Sequence, residues 1–340
     1  MRKRIIEMDM ARGLATLAVM TIHISAVPLI DQTGNGSIPF FSLLLNLAAR
    51  FAVPTFILLS GMGLEMSYKP GEGYLLYLKR RMSKLIPAYV LWSVIYSLIY
   101  NDNTGMLAIN HHIRPGSVVL ALFTGNACYH LYFVPLIVQF YALFPLLRGM
   151  VKSKAGFVVC SLLSIALILA DRYIKVPNAL RFLLDYRDPL RWMVYFALGV
   201  WLAENCSRLT LNGRQLKSLV GGALLLCIVW MIAVVYPRAK VADDVDIAIG
   251  AATPILVIYA MVFIAWVWNQ QWNNPFFTGA LRKISKYSYG IYLSHALILA
   301  VCLAVYRSHN IQVCDVAFYA CVMLTALPGS FALSWAVSFL

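Results

Sequence analysis

The chain has 340 residues, of which 61% are hydrophobic and 12% are charged, and its mean hydropathy is +0.75. Soluble domains carry roughly one-quarter charged residues, so this composition excludes an ordinary soluble enzyme and predicts a polytopic membrane protein.

Apolar stretches long enough to cross a hydrocarbon core of about 30 Å follow one another over nearly the whole chain. Together they predict an all-α, polytopic transmembrane helix bundle that forms a single membrane-embedded domain over residues 1–340, with no separate soluble domain. About ten spans are expected, of which the sixth is the shortest: 12–31, 41–66, 84–101, 130–147, 155–172, 190–204, 217–236, 247–268, 286–306 and 316–340.

The net charge of +14 is distributed unevenly between the predicted loops. With the N-terminus in the cytoplasm, that side carries 18 of the 28 basic residues and five of the 14 acidic ones, a balance of +13 against +1 outside. This asymmetry follows the positive-inside rule and predicts that both termini are cytoplasmic. It gives no reason to expect nucleic acid as a partner, whereas anionic lipid or an anionic cytosolic substrate stays open.

The first span carries two ionisable residues, Arg12 and His23, eleven positions apart. On a helix this spacing is about three turns, so both side chains share one face about 16 Å apart along the axis. A titratable group inside a bilayer is costly and normally faces a bundle interior or a water-filled cavity, which makes His23 a candidate functional residue. The alternatives are a neutral interhelical hydrogen-bond donor at His23 and a positive-inside anchor at Arg12.

A basic run precedes the third span and contains Lys79, Arg80, Arg81 and Lys84. Arg81 and Lys84 fall on one helical face. The four cations either report topology alone or present convergent donors to phosphate oxygens.

Later spans contain a few polar residues. In the second span, the Ser60–Gly61 pair of VPTFILLSGM (53–62) favours close helix packing. His130 lies at the outer start of the fourth span, where an interface role is the simpler interpretation. Ser288, Tyr292 and His295 share one face of the ninth span and form either a hydrogen-bonded packing seam or a substrate-lining surface.

The seven cysteines show no zinc-binding or redox spacing. Cys128 and Cys314 both fall near the predicted outer face. Their position leaves a disulfide between them open.

In this order and spacing, the motifs resemble the integral-membrane acyltransferase family 3, which includes O-acetyltransferases of bacterial surface polysaccharides. IEMDMARGLATLAVMTIH (6–23) matches the family's Asp-x-x-Arg-Gly-x-Ala opening and its Arg-x10-His motif. The similarity continues through 53–62, the basic run, HLYF (130–133) and YSYGIYLSH (287–295). The first motif is specific by itself, and the others gain weight from their order over nearly the whole chain. Where the family typically shows Arg-x-x-Arg, this chain has Arg81 and Lys84, which keeps the charge but loses one bidentate fork.

The resemblance implies a multi-pass enzyme of the bacterial cytoplasmic membrane that uses no metal. Such an enzyme moves an acyl group, commonly acetyl, from cytoplasmic acyl-CoA to a hydroxyl of a cell-envelope glycan or lipid-linked acceptor. His23 would be the general base, with a covalent acyl-histidine relay left open. The other implied roles are coenzyme A binding by Arg12, Arg80, Arg81 and Lys84, orientation of Arg12 by Asp9, and substrate binding by His130, Ser60, Tyr292 and His295.

Two other functional classes fit a bundle of this kind. A transporter or flippase of lipid-linked glycans would usually show paired, interrupted segments in two halves, and no such symmetry is visible. A non-catalytic membrane sensor built on the same bundle is the second class, and the presence of both Arg12 and His23 weighs against it. Membrane lipids are expected partners in every case, whereas the sequence does not reveal the oligomeric state.

Overall fold

The computed structural model describes residues 5–32, 39–101, 106–107, 114–174, 184–211, 213–242, 253–311, 313 and 315–337, and nearly all of them are helical. The helices in these ranges are α1 (Ile6–Gln32), α2 (Phe40–Ala48), α3 (Ala52–Met66), α4 (Tyr74–Ile99), α5 (Pro115–Thr124), α6 (Phe133–Lys152), α7 (Lys154–Tyr173), α8 (Met193–Asn205), α9 (Arg214–Ala242), α10 (Thr253–Asn269), α11 (Pro275–Ser308) and α12 (Asp315–Val337). Short 3-10 turns flank α8 at Pro189–Trp192 and Cys206–Leu209. Strands β1 (Tyr100–Asn101) and β2 (Met106–Leu107) pair antiparallel.

The all-α polytopic bundle is confirmed. Within the described ranges, eight segments are long and apolar enough to cross a membrane, and each of them overlaps one predicted span. One of these segments, Phe40–Met66, consists of α2 and α3 with a turn between them. The predicted sixth and eighth spans correspond to α8, with 13 residues, and α10, with 17 described residues. Of these two, α8 is clearly shorter than the roughly 20 residues of a full crossing.

Helix α8 lies inside the bundle. Nine of its 13 residues are buried, as expected for a helix that is apolar on all sides. It packs against α3 through two glycines at which the backbones approach closely. A Cβ on Gly61 would lie 2.5 Å from the Phe196 carbonyl oxygen, and one on Gly199 would lie 1.9 Å from that of Leu58. Gly61 therefore has the packing role that its sequence context predicts.

Helices α3, α6 and α8 are tied together at one end by an ion network. Glu65 of α3 is 5% exposed and binds the Arg148 guanidinium through two contacts of 2.7 Å. Lys152 of α6 bridges Glu65 at 3.2 Å and Glu204 of α8 at 2.5 Å. A nearly buried carboxylate is thus compensated by two cations, and the network fixes the relative positions of the three helix ends.

Helix α2 is tied to α1 beside His23, and it holds Arg50 of the following turn. The Asn46 amide nitrogen donates to the Ile22 carbonyl at 3.0 Å and contacts the Ser25 hydroxyl at 3.2 Å. The Asn46 side-chain oxygen accepts hydrogen bonds from Nε and Nη2 of Arg50 at 3.0 and 2.8 Å. This chain of contacts orients a guanidinium next to the middle of α1.

Some residues singled out in the sequence lie outside the described ranges. Cys128 is buried in the turn that precedes α6, whereas Cys314 lies outside. Arg2, Lys3 and Arg4, three of the predicted cytoplasmic cations, lie outside as well.

Candidate active site

Three histidines that are distant in sequence meet in the bundle. His23 comes from α1, His130 from the turn before α6 and His295 from α11. Ring centroids are 5.2 Å apart for His23 and His295, 4.9 Å for His130 and His295, and 6.2 Å for His23 and His130. His130 and His295 are 2% exposed, whereas His23 is half-buried. Of the three, His23 is the least buried residue.

The tautomer of His295 follows from its neighbours. Its Nδ1 lies 2.7 Å from the Tyr292 carbonyl oxygen and 3.2 Å from that of Ile291. Because carbonyl oxygens only accept, Nδ1 carries the hydrogen and Nε2 presents a lone pair. Among the described residues, Nε2 has no hydrogen-bond partner. A buried acceptor therefore points into the histidine cluster.

A cavity of about 340 Å³, here called the histidine cavity, opens beside His23. His130 also lines it, together with the cations Arg50 and Arg191. Nη1 of Arg191 is held by the Asp171 carboxylate and the Leu184 carbonyl, both at 2.7 Å. The rest of the wall is largely aromatic and includes Tyr132, Tyr186, Trp192 and Tyr195. Such side chains present an apolar body with a polar tip, which suits a ligand rich in hydroxyl groups.

A second cavity of about 400 Å³, here called the Arg12 cavity, is lined by Arg12, Arg81 and Lys286. Arg81 donates to the Ser67 hydroxyl, which orients its guanidinium. The remaining polar wall comes from Ser60, Tyr141, Ser285, Ser288 and Tyr289. Among the described residues that line it, three carry positive charge and none carries negative charge. This arrangement suits phosphate oxygens.

The predicted coenzyme A residues separate in the structure. Arg12 and Arg81 line the Arg12 cavity, but Arg80 binds the Glu72 carboxylate through Nε at 3.0 Å and Nη2 at 2.5 Å. Lys84 is exposed on α4 and is not among the residues that line either cavity. Asp9 is buried and accepts a hydrogen bond from the Ser285 hydroxyl at 3.2 Å. Its ion pair with Arg12 stays a prediction.

The predicted substrate-binding residues divide between the two cavities. Ser60 lines the Arg12 cavity and His130 lines the histidine cavity, while Tyr292 lines both. The Tyr292 hydroxyl donates to the His130 carbonyl. The His295 ring contacts the rings of His130 and Tyr292 in the histidine cluster.

Two aromatic residues share the position of Tyr292 between the cavities. Phe56 of α3 and Phe133, the first residue of α6, also line both cavities. The ring centroids of Phe56 and Phe133 are 6.1 Å apart, and those of Phe133 and Tyr292 are 5.8 Å apart. These three residues, here called the aromatic barrier, separate the Arg12 cavity from the histidine cavity.

Sequence reasoning missed several lining residues. Arg50 carried a usable signal, because it is a charged residue inside the predicted span 41–66. Lys286 also carried a usable signal, because it lies directly before the YSYG motif. Phe56 and Phe133 lie within the motifs 53–62 and 130–133, but nothing in the sequence distinguishes them or Tyr141 as lining residues, because an aromatic residue in an apolar span is ordinary.

The two cavities offer different chemistry to one reaction. Arg12, Arg81 and Lys286 can bind an anionic ligand on one side of the aromatic barrier. On the other side, the imidazole of His23 can accept a proton from an attacking hydroxyl group. Arg12 and His23 lie on the same helix, so α1 contributes Arg12 to the Arg12 cavity and His23, together with Val19 and Ile22, to the histidine cavity.

Comparison with known proteins gives two matches. A family model described as an acyltransferase domain matches residues 5–335. The chain is also similar to the protein named "Putative membrane-bound acyltransferase YfiQ" of Bacillus subtilis (strain 168). The two are 23% identical over 320 residues, which is 87% of this chain and 81% of that protein. No solved structure matches the chain with significant similarity.

Proposed function

The chain belongs to this acyltransferase family, and from that premise we propose that it transfers an acyl group, acetyl foremost, from acyl-CoA to a hydroxyl group. The donor is bound from the cytoplasm, and the acceptor is a glycan or glycolipid of the bacterial cell envelope. The observation that supports this proposal best is that Arg12 and His23, on one helix, line two adjoining cavities of different character.

The Arg12 cavity suits the donor. Coenzyme A carries several phosphate groups, and Arg12, Arg81 and Lys286 offer cationic donors without a carboxylate among the described lining residues. The basic residues of this region belong to the set that the positive-inside rule assigns to the cytoplasm, where acyl-CoA is made. The pantetheine arm then extends from the phosphates toward the aromatic barrier.

The histidine cavity suits the acceptor, and His23 is the base. The acceptor hydroxyl loses its proton to His23 as its oxygen attacks the thioester carbonyl, which forms a C–O bond. The C–S bond then breaks, and the thiolate of coenzyme A takes up a proton equivalent to the one that His23 received. The products are an acyl ester and free coenzyme A, and His23 returns to its neutral form.

The test compares cells that produce wild-type protein, His23→Ala or His309→Ala. His309 is an exposed histidine at the end of α11, so its replacement is a matched control. Mass spectrometry of the cell-envelope glycans should show one acyl group more with wild type and His309→Ala than with His23→Ala. With purified protein and acetyl-CoA, His23→Ala should lose about 10²–10⁴-fold in transfer rate.

Each contrary result has a defined meaning. Full transfer activity in correctly inserted His23→Ala would show that His23 is not the base. Movement of a glycan across the membrane without any acyl transfer would favour a transporter. Binding of a ligand by purified protein without turnover of acyl-CoA would favour a sensor.

A further inference from the structure

We propose that Phe56, Phe133 and Tyr292 form a barrier that the acyl end of the donor crosses, and that Phe56 and Phe133 determine which acyl groups pass and how well water is excluded. The inference rests on the proposed function, because it assigns the donor to the Arg12 cavity. It adds the residues that control acyl size and that suppress hydrolysis of the thioester.

The position of the three rings carries the argument. Of the described residues, Phe56, Phe133 and Tyr292 are the ones that line both cavities, and each comes from a different helix. All three side chains are half-buried, as expected for rings that face open space on two sides. Centroid separations of 6.1 and 5.8 Å make a continuous row of contacts from Phe56 through Phe133 to Tyr292.

The members of the row differ in how they are held. Tyr292 is fixed, since its hydroxyl donates to the His130 carbonyl beside the histidine cluster. Phe56 and Phe133 have no polar group and are held by packing alone. A passing acyl group therefore displaces these two rings more readily than Tyr292, so they are the adjustable part of the barrier.

The chemistry explains why such a barrier is useful. Productive transfer forms a C–O bond to the acceptor oxygen and releases coenzyme A as a thiol. If water attacks the same carbonyl instead, the products are a carboxylic acid, which then ionises, and the thiol of coenzyme A. The acyl group is then lost to hydrolysis. Apolar rings between the cavities keep water in the histidine cavity away from a donor whose acyl end has not yet crossed.

The same rings also limit the size of the acyl group that can pass between the cavities. A row of packed aromatic side chains admits a small acyl group by slight ring movement, whereas each added methylene needs more space. In pockets of fixed size, one methylene changes specificity by about 10–200-fold. Removing a ring joins the two cavities and should relax this discrimination.

The experiment uses the purified full-length protein in lipid nanodiscs with acetyl-, butyryl- and hexanoyl-CoA. Free coenzyme A thiol is measured without acceptor, and acyl transfer is measured with cell-envelope extract. Phe56→Ala and Phe133→Ala should raise acceptor-independent hydrolysis about tenfold, and they should raise the butyryl-to-acetyl rate ratio by a similar factor. Phe51→Ala is the matched control, because that ring stacks on Phe263 at 3.7 Å and is absent from the lining of both cavities.

Two milder variants keep the test decisive if an alanine variant does not fold. Phe133→Leu should shift hydrolysis and the rate ratio in the same direction by a smaller factor. Phe56→Trp should narrow the passage and lower transfer of butyryl relative to acetyl groups. Monodisperse elution on size-exclusion chromatography serves as the criterion of folding.

The outcomes separate this inference from the proposed function. If wild type transfers acyl groups but folded barrier variants keep its hydrolysis rate and its rate ratio, the barrier is refuted and the function stands. Loss of transfer in these variants without a rise in hydrolysis or a change in ratio refutes the barrier too. If wild type neither transfers nor hydrolyses any of the three donors, the proposed function fails and the inference falls with it.

Discussion

The contact between α3 and α8 predicts that Gly199→Ala destabilises the protein and lowers its activity. A Cβ at this position would lie 1.9 Å from the Leu58 carbonyl oxygen and 3.0 Å from the Met62 amide nitrogen. Both atoms belong to the backbone of α3, so no side chain can rotate away to make room. The two helices must separate instead.

The magnitude follows from the overlap. Ordinary van der Waals contact begins at 3.4 Å, so the new methyl group is about 1.5 Å too close, and overpacking of this kind typically costs about 1–3 kcal/mol. Because α3 also carries Phe56 and Ser60, its displacement changes the walls of both cavities. Stability and acyl transfer should therefore fall together.

The assay is thermal unfolding followed by size-exclusion chromatography, with acyl transfer measured on the same samples. Gly221→Ala is the control, because this glycine lies inside α9 and no heavy atom lies within 4 Å of its added Cβ. Alanine also removes the entropic cost of a helical glycine, so this control should be neutral or stabilising by roughly 0.5–1 kcal/mol. Equal melting temperatures for Gly199→Ala and Gly221→Ala would refute the close packing of α8 on α3.

Three further predictions concern the cavities and the ion network. Arg81→Gln should raise the KM for acyl-CoA about tenfold by removing a charge-assisted contact. Arg80→Gln should leave this KM unchanged, because Glu72 already binds the Arg80 side chain. Equal effects of the two substitutions would contradict the different roles of the two arginines. Glu65→Gln should lower the free energy of unfolding by about 1–3 kcal/mol, since two cations lose a nearly buried carboxylate. Glu204→Gln changes a carboxylate that is 56% exposed and should lower this free energy by no more than about 1 kcal/mol. Thermal or denaturant unfolding measures both effects. In steady-state kinetics, His130→Ala should raise the KM for the acceptor and leave the KM for acyl-CoA unchanged. Loss of acyl-CoA binding in this variant would show that His130 is wrongly assigned to the acceptor side.

Hydropathy and the cost of buried charge predict much of this protein. Both are properties of short segments, so the eight segments of the described ranges that are long and apolar enough to cross a membrane could be located without knowing their neighbours. The same reasoning singled out His23, which lines a cavity inside the bundle. The apolar composition of α8 predicts a span, but the same composition also suits a helix that is surrounded by other helices. In the structure, nine of its 13 residues are buried in this way.

Other features depend on contacts that no single segment encodes. The basic run shows four cations in six positions, but it does not reveal that Glu72 binds Arg80 while Arg81 turns toward the Arg12 cavity. His130 was expected at the interface, and its position beside His23 and His295 results from the packing of three elements. The aromatic barrier is the extreme case, because Phe56 and Phe133 are ordinary residues of apolar helices until the bundle assembles.

Helix α1 also fixes the distance between the two cavities' key residues, Arg12 and His23. Because Arg12 and His23 are joined by continuous helix, their separation is a fixed length, and under the proposed function the reach of the donor must match it. Substitutions between them leave that length intact, whereas one inserted residue would turn His23 by about 100° and shift it by about 1.5 Å relative to Arg12. The segment between the two residues is therefore constrained in length, in addition to the limits that packing sets at Gly13 and Ala15.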